Sequence, residues 1–149
     1  MIDQILLALH LLGAVIWVGG MAFALMVLRP SLAVLAPPQR LALHGEVFRR
    51  FFRMVWHVMP LVLLTGYGML FGLYGGFAGV HPAVHIMHTA GLVMALVFIV
   101  IFFGPWKKLQ AALAAGDNAA AAATVNTIRL LITINLALGL LTVVVAAFA

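Results

Sequence analysis

His81-Pro-Ala-Val-His85-Ile-Met-His88-Thr-Ala-Gly91, with the apolar run that carries on to Gly104, decides how this chain is read. Histidines at i, i+4 and i+7 share one face of a helix. The residues after them are almost purely apolar, so the helix belongs in a bilayer. An ionisable row on a membrane helix is costly to insert and marks a functional site by default.

The rest of the chain supports a membrane setting. Of 149 residues, 66% are hydrophobic and only 7% charged, which leaves too little polar surface to cover a soluble domain. Mean hydropathy is +1.25. No cysteine is present, which excludes disulfides, thiolate metal sites and thiol catalysis. The net charge of +5 reads as a topology signal and not as a nucleic-acid surface, because the basic residues cluster between apolar runs.

Four runs are long enough to cross a bilayer, at roughly 20 apolar residues each. They cover about 4–28, 51–74, 82–104 and 128–148. The expected fold is an all-α, integral membrane four-helix bundle forming a single domain. Arg29-Pro30 closes the first run. Short cytoplasmic helices are expected over about 38–50, where Glu46 can pair with Arg49 or Arg50, and about 106–123. The start, Met1-Ile-Asp3-Gln4, lacks the basic region of a cleavable signal and is read as entering the first span. Arg29, Arg40, Arg49, Arg50 and Arg53 lie in or beside the first connection; Lys107, Lys108 and Arg129 lie in or beside the third. All of them fall on one side, which the positive-inside rule makes cytoplasmic. Both termini are then periplasmic and the protein sits in a bacterial inner membrane. Gly68, Gly72 and Gly76 form a small-residue stripe suited to close helix packing, within one chain or in a homodimer.

Depth sorts the histidines. His10 lies about seven residues into the first span, on the order of 10 Å below the outer surface, and His88 at roughly 9 Å on the third. Each is followed three residues later by a glycine, Gly13 and Gly91. A flat porphyrin held between helices needs such a pattern: the imidazole reaches the iron and the glycine admits the ring. Trp17 closes the same face below. The reading is b-type haem between helices one and three, with His10 and His88 as axial ligands and His85 as second choice for the latter. Such a site suits an electron carrier or a haem-dependent oxidoreductase that exchanges electrons with a quinone or a periplasmic partner. The alternative is copper bound by His10, His85 and His88, since imidazoles take copper and thioethers favour Cu(I). Met87 or Met94 would then lie nearby, although no M-x-x-M spacing occurs within a helix. A third reading is an accessory membrane subunit with structural histidines. No hydrolytic triad, phosphate loop or carboxylate pair is present. Asn135, deep in the fourth span, is expected to bond Thr65 or a backbone carbonyl.

These residues also carry a resemblance. His10-Leu-Leu-Gly-Ala-Val-Ile-Trp17-Val-Gly19-Gly20-Met-Ala-Phe23, followed by Arg29-Pro30, resembles the first-helix signature of the copper resistance protein D (CopD) membrane family. Leu64-Thr65-Gly66 and Asn135-Leu-Ala-Leu-Gly139 resemble the same family. It implies a bacterial inner-membrane helical bundle linked to copper handling. A weaker resemblance is to the haem-binding membrane protoporphyrinogen oxidases, which share a first-helix histidine followed by a tryptophan-glycine stretch. That family also implies a lysine in the third span, where this chain has only His85 and His88.

Overall fold

The computed structural model describes residues 1–148. Among them it is all-helical, and four stretches are long and apolar enough to cross a membrane: Ile2–Val34, Pro37–Gly72, Pro82–Ala114 and Asn118–Ala146. Helix α1 covers Ile2–Phe23 and runs through a π turn at Ala24–Leu28 into the short α2, Arg29–Ser31. Proline at 30 cannot donate to the carbonyl one turn back, and the wide turn before it absorbs the mismatch. The helical path therefore outlasts the expected stop at Arg29-Pro30 and ends as a 3-10 turn at Leu32–Val34.

Helix α3 covers Pro37–Gly72 without a break. The expected short amphipathic helix and second span are one rod of about 54 Å. This exceeds the roughly 30 Å hydrocarbon core of a bilayer. Its first turn accepts two prolines, Pro37 and Pro38, where missing N–H groups cost nothing. Helix α4 covers Pro82–Phe103 and α5 covers Pro105–Ala114, with Gly104 at the corner between them. Helix α6, Asn118–Ala146, likewise fuses an interfacial piece with the fourth span. The turn before it holds Gly116 at φ 69°, a left-handed conformation that side chains resist.

The chain alternates direction at each crossing, which returns both termini to one end. Helix α1 lies along α3 and α4 lies along α6; α6 also touches α1 and α3, and α3 touches α4. Helices α1 and α4 thus stand on a diagonal of the bundle. Glycines let the rods close. A Cβ on Gly139 of α6 would come within 2.8 Å of Val18 on α1 and 3.2 Å of Met94 on α4. One on Gly20 would come within 2.6 Å of the Phe51 ring. At the arginine-rich end an aromatic cluster fills the core: Phe52 meets Phe98 and Trp106 edge-on at 5.8 and 5.4 Å. The methionines Met21, Met59 and Met94 are buried in the same core. Leu12, Val15, Leu96 and Val100 face outward, as lipid contact requires.

The glycine stripe at the end of the second span is not one helix face. Gly68 packs on Leu6, and α3 ends at Gly72. Gly76 lies in the following loop at φ 114°, where its N–H donates to Leu70 O at 2.9 Å.

Candidate metal-binding end of the bundle

The loop between α3 and α4 folds back over the helix ends and carries Phe77 onto two histidines. Phe77 stacks on His85 at 5.7 Å between ring centroids and meets His88 edge-on at 4.9 Å. His88 also meets the Tyr67 ring edge-on at 5.4 Å, and Tyr67 stacks on Phe71. The Tyr67 hydroxyl and His88 Nε2 are hydrogen-bonded at 2.8 Å. That bond occupies Nε2 and leaves Nδ1 as the nitrogen open to a ligand. His85 is exposed, His88 half-buried, and three residues of helix bring them to one side of α4. His81 is placed differently: it caps α4, its Nδ1 accepting from the Ala83 N–H at 3.3 Å.

His10 lies across α3 from this cluster. Its Nδ1–H donates to Val62 O at 2.9 Å and reaches Thr65 Oγ1 at 3.2 Å. The Thr65 hydroxyl donates in turn to Leu61 O. These contacts protonate Nδ1 and leave Nε2 with a free lone pair. Gly66 makes room for the ring, since a Cβ there would sit 3.2 Å from His10 Cε1. Thr65 and Tyr67 differ by two helical positions. They therefore point about 200° apart around α3 while lying only about 3 Å apart along it.

The two histidines thus share a level, as the sequence reading expects, but do not converge. This corrects the slot expected between the first and third spans. The space beside Gly13 is filled: a Cβ there would come within 2.5 Å of Val62 Cγ2. Gly91 faces open space. Trp17 is buried in the core cluster. The residues do not form a clamp for haem b between α1 and α4. Among the described residues no three histidine or acidic side chains gather as a metal cage either.

Other polar residues have structural partners. His57 is exposed on α3 and donates from Nδ1 to Arg53 O at 2.8 Å. Asn135 Nδ2 donates to Met94 O at 3.2 Å, tying α6 to α4 as expected for a backbone carbonyl partner. Its Oδ1 is buried without a partner among the described residues. Glu46 bonds both Arg49 and Arg50. Sequence reasoning does not single out Tyr67 or Phe77. For Tyr67 a signal was present, because a phenol within an apolar span needs a polar partner.

A family model described as copper resistance protein D matches residues 45–149. The match takes in the second, third and fourth spans, including Thr65-Gly66, His85, His88 and Asn135; the first span, with His10, lies before it. No curated protein and no solved structure matches the chain. With more than half of its length matched and four apolar spans, this multi-pass inner-membrane chain belongs to the copper resistance protein D family.

Proposed function

We propose that the protein takes up copper at the end of the bundle that carries the termini, with His85 and His88 as the first ligands. The supporting observation is the seating of both imidazoles side by side under Phe77. Imidazole nitrogen is a good donor to copper, and the family links the chain to copper. Two ligands without a third suit an ion that is passed on, not stored. Tyr67 holds the His88 ring by Nε2 and so presents Nδ1, the kind of outer partner that orients a metal-binding imidazole. By the distribution of arginine and lysine this end faces the periplasm, where incoming copper would be met. His10, fixed from α3 with its Nε2 unspent, stands apart at a similar level along α3 and is not one of the first ligands. Haem b, the first expectation from the sequence, is not part of the proposal because Val62 fills the space that Gly13 was to leave open.

The test is an anaerobic Cu(I) titration of detergent-purified protein against a chromophoric chelator. Wild type should compete for about one equivalent. His85→Ala and His88→Ala should each weaken binding at least tenfold, while His57→Ala should not. Binding that survives loss of both His85 and His88 would overturn the assignment. Binding lost with His57 alone would move the site to the opposite end.

A further inference from the structure

At the arginine-rich end, between the π turn after α1, the start of α3 and the first turns of α6, lies a cavity of about 740 Å³. That volume is within the range of small-molecule sites. Arg29, Arg40 and Arg129 reach it from three different segments, joined by His44 and Asn126. Its inner wall is apolar, with Leu25, Leu28, Val125 and Ile132. The chain therefore builds a cup lined by both cationic and apolar side chains.

The charge in this cup is not neutralised by protein. No carboxylate lines it among the described residues. Glu46 is taken by Arg49 and Arg50, Asp117 accepts from the Ala120 N–H as the cap of α6, and Asp3 belongs to the other end of the bundle. Arg40 spends two N–H groups on Leu32 O and Leu35 O, which fixes the first connection and holds its guanidinium at the cavity. Arg29 and Arg129 donate to no acceptor among the described residues. His44 lies on the part of α3 that precedes Arg49 and Arg50. Burial pushes its imidazole below the usual range, and the fields of Arg29, Arg129 and Arg40 push it the same way. A topology signal alone requires basic residues on this side, but not three guanidinium groups from separate segments around one hollow with an apolar wall.

We infer that this cavity binds the phosphate of an anionic lipid headgroup, with the acyl chains along the apolar wall. Guanidinium groups match phosphate oxygens in geometry as well as charge. Basic pockets between spans on the cytoplasmic side are suited to such headgroups. The reading does not depend on copper uptake at the far end.

Native mass spectrometry of the full chain in neutral detergent tests it, with phosphatidylglycerol and phosphatidylcholine added at equal concentration. Phosphatidylglycerol adducts should exceed phosphatidylcholine adducts at least fivefold. The double variant R29Q/R129Q should lose most of that excess. The variant R53Q/K108Q removes the same charge from the same side, outside this cavity, and should keep it. If R29Q/R129Q does not fold, the single variants R29Q and R129Q should each reduce the excess at least twofold. Equal adducts for both lipids, or equal losses in both double variants, would reduce the cluster to a topology signal and overturn the inference. Inorganic phosphate that raises wild-type melting as much as phosphatidylglycerol, and does so only while Arg29 and Arg129 are present, would assign the cavity to free phosphate and overturn the lipid.

Discussion

Replacing Tyr67 with Phe removes one oxygen atom and leaves the ring packing around His88 in place. Tyr67 and His88 meet at 78° with their centroids 5.4 Å apart, and Phe71 stacks on the Tyr67 ring at 6.1 Å. Neither contact needs the hydroxyl. The loss is the 2.8 Å bond that fixes Nε2 and turns Nδ1 outward. Removing an outer partner of a metal-binding imidazole weakens metal affinity by about 10- to 100-fold. In free energy that is about 1.4–2.7 kcal/mol. Fold stability should fall by less, about 0.5–1.5 kcal/mol for one hydrogen bond. The assay is the chelator competition described above, run on wild type, Tyr67→Phe and His88→Ala. Tyr67→Phe should fall between the other two curves. A Tyr67→Phe curve superimposed on wild type, with His88→Ala still weakened, would show that the phenol does not orient the ligand. If both variants bound as wild type, His88 itself would leave the site.

Three further outcomes follow from the packing and the charges. Gly139→Leu places a branched side chain where even a Cβ would come within 2.8 Å of Val18, so the α1–α4–α6 contact must open; a loss of about 1–3 kcal/mol is expected in the SDS denaturation midpoint, and an unchanged midpoint would deny the close approach. Asn135→Leu gives up a hydrogen bond worth about 0.6 kcal/mol between membrane helices but also removes a buried acceptor with no partner; it should be close to neutral, and a loss above about 2 kcal/mol would mean that Oδ1 has a partner of its own. The Glu46 carboxyl is lowered from 4.5 to about 2 by its hydrogen bonds to Arg49 and Arg50. Its folded value lies below its unfolded one, so the stabilisation is present above about pH 4.5 and drains as pH falls towards 2. Glu46→Gln should flatten the melting curve's pH slope in that window and lower neutral-pH melting by the same amount, which is small because the pair is exposed.

The number of spans was legible because each depends on a local property, about 20 apolar residues in a row, that no tertiary contact overrides. Their ends were less so. Arg29-Pro30 reads as a stop, yet a π turn carries the helix past the proline. Nothing in Leu35-Ala36-Pro37-Pro38 tells a reader that the helix beginning there will run unbroken through Pro60 to Gly72. Of the two partners expected for Asn135, the backbone carbonyl is the one met, at Met94 O, while the Thr65 hydroxyl is spent on Leu61 O.

The meeting point of the histidines was not legible, and the reason is geometric. Counting residues from the helix start gives a relative level, and His10 and His88 do bond to α3 a short step apart along its axis, at Thr65 and Tyr67. Counting cannot give the rotation of one helix about its neighbour. The glycine three residues after His10 was compatible with a cofactor slot or with a close helix crossing, and both demand a missing side chain. The chain uses it for a crossing: Val62 of α3 fills the space beside Gly13, while Gly66 of the same helix opens to receive the His10 ring. These two exchanges of a small residue for a large one turn His10 towards α3 and away from α4. The Thr65-Gly66 pair that carries part of the family resemblance therefore has a local physical task, to seat one imidazole and protonate it at Nδ1. Whether that seat serves copper turns on its unspent Nε2. If His10→Ala leaves the Cu(I) competition curve of wild type unchanged, His10 is a packing residue and the uptake site is His85 and His88 alone.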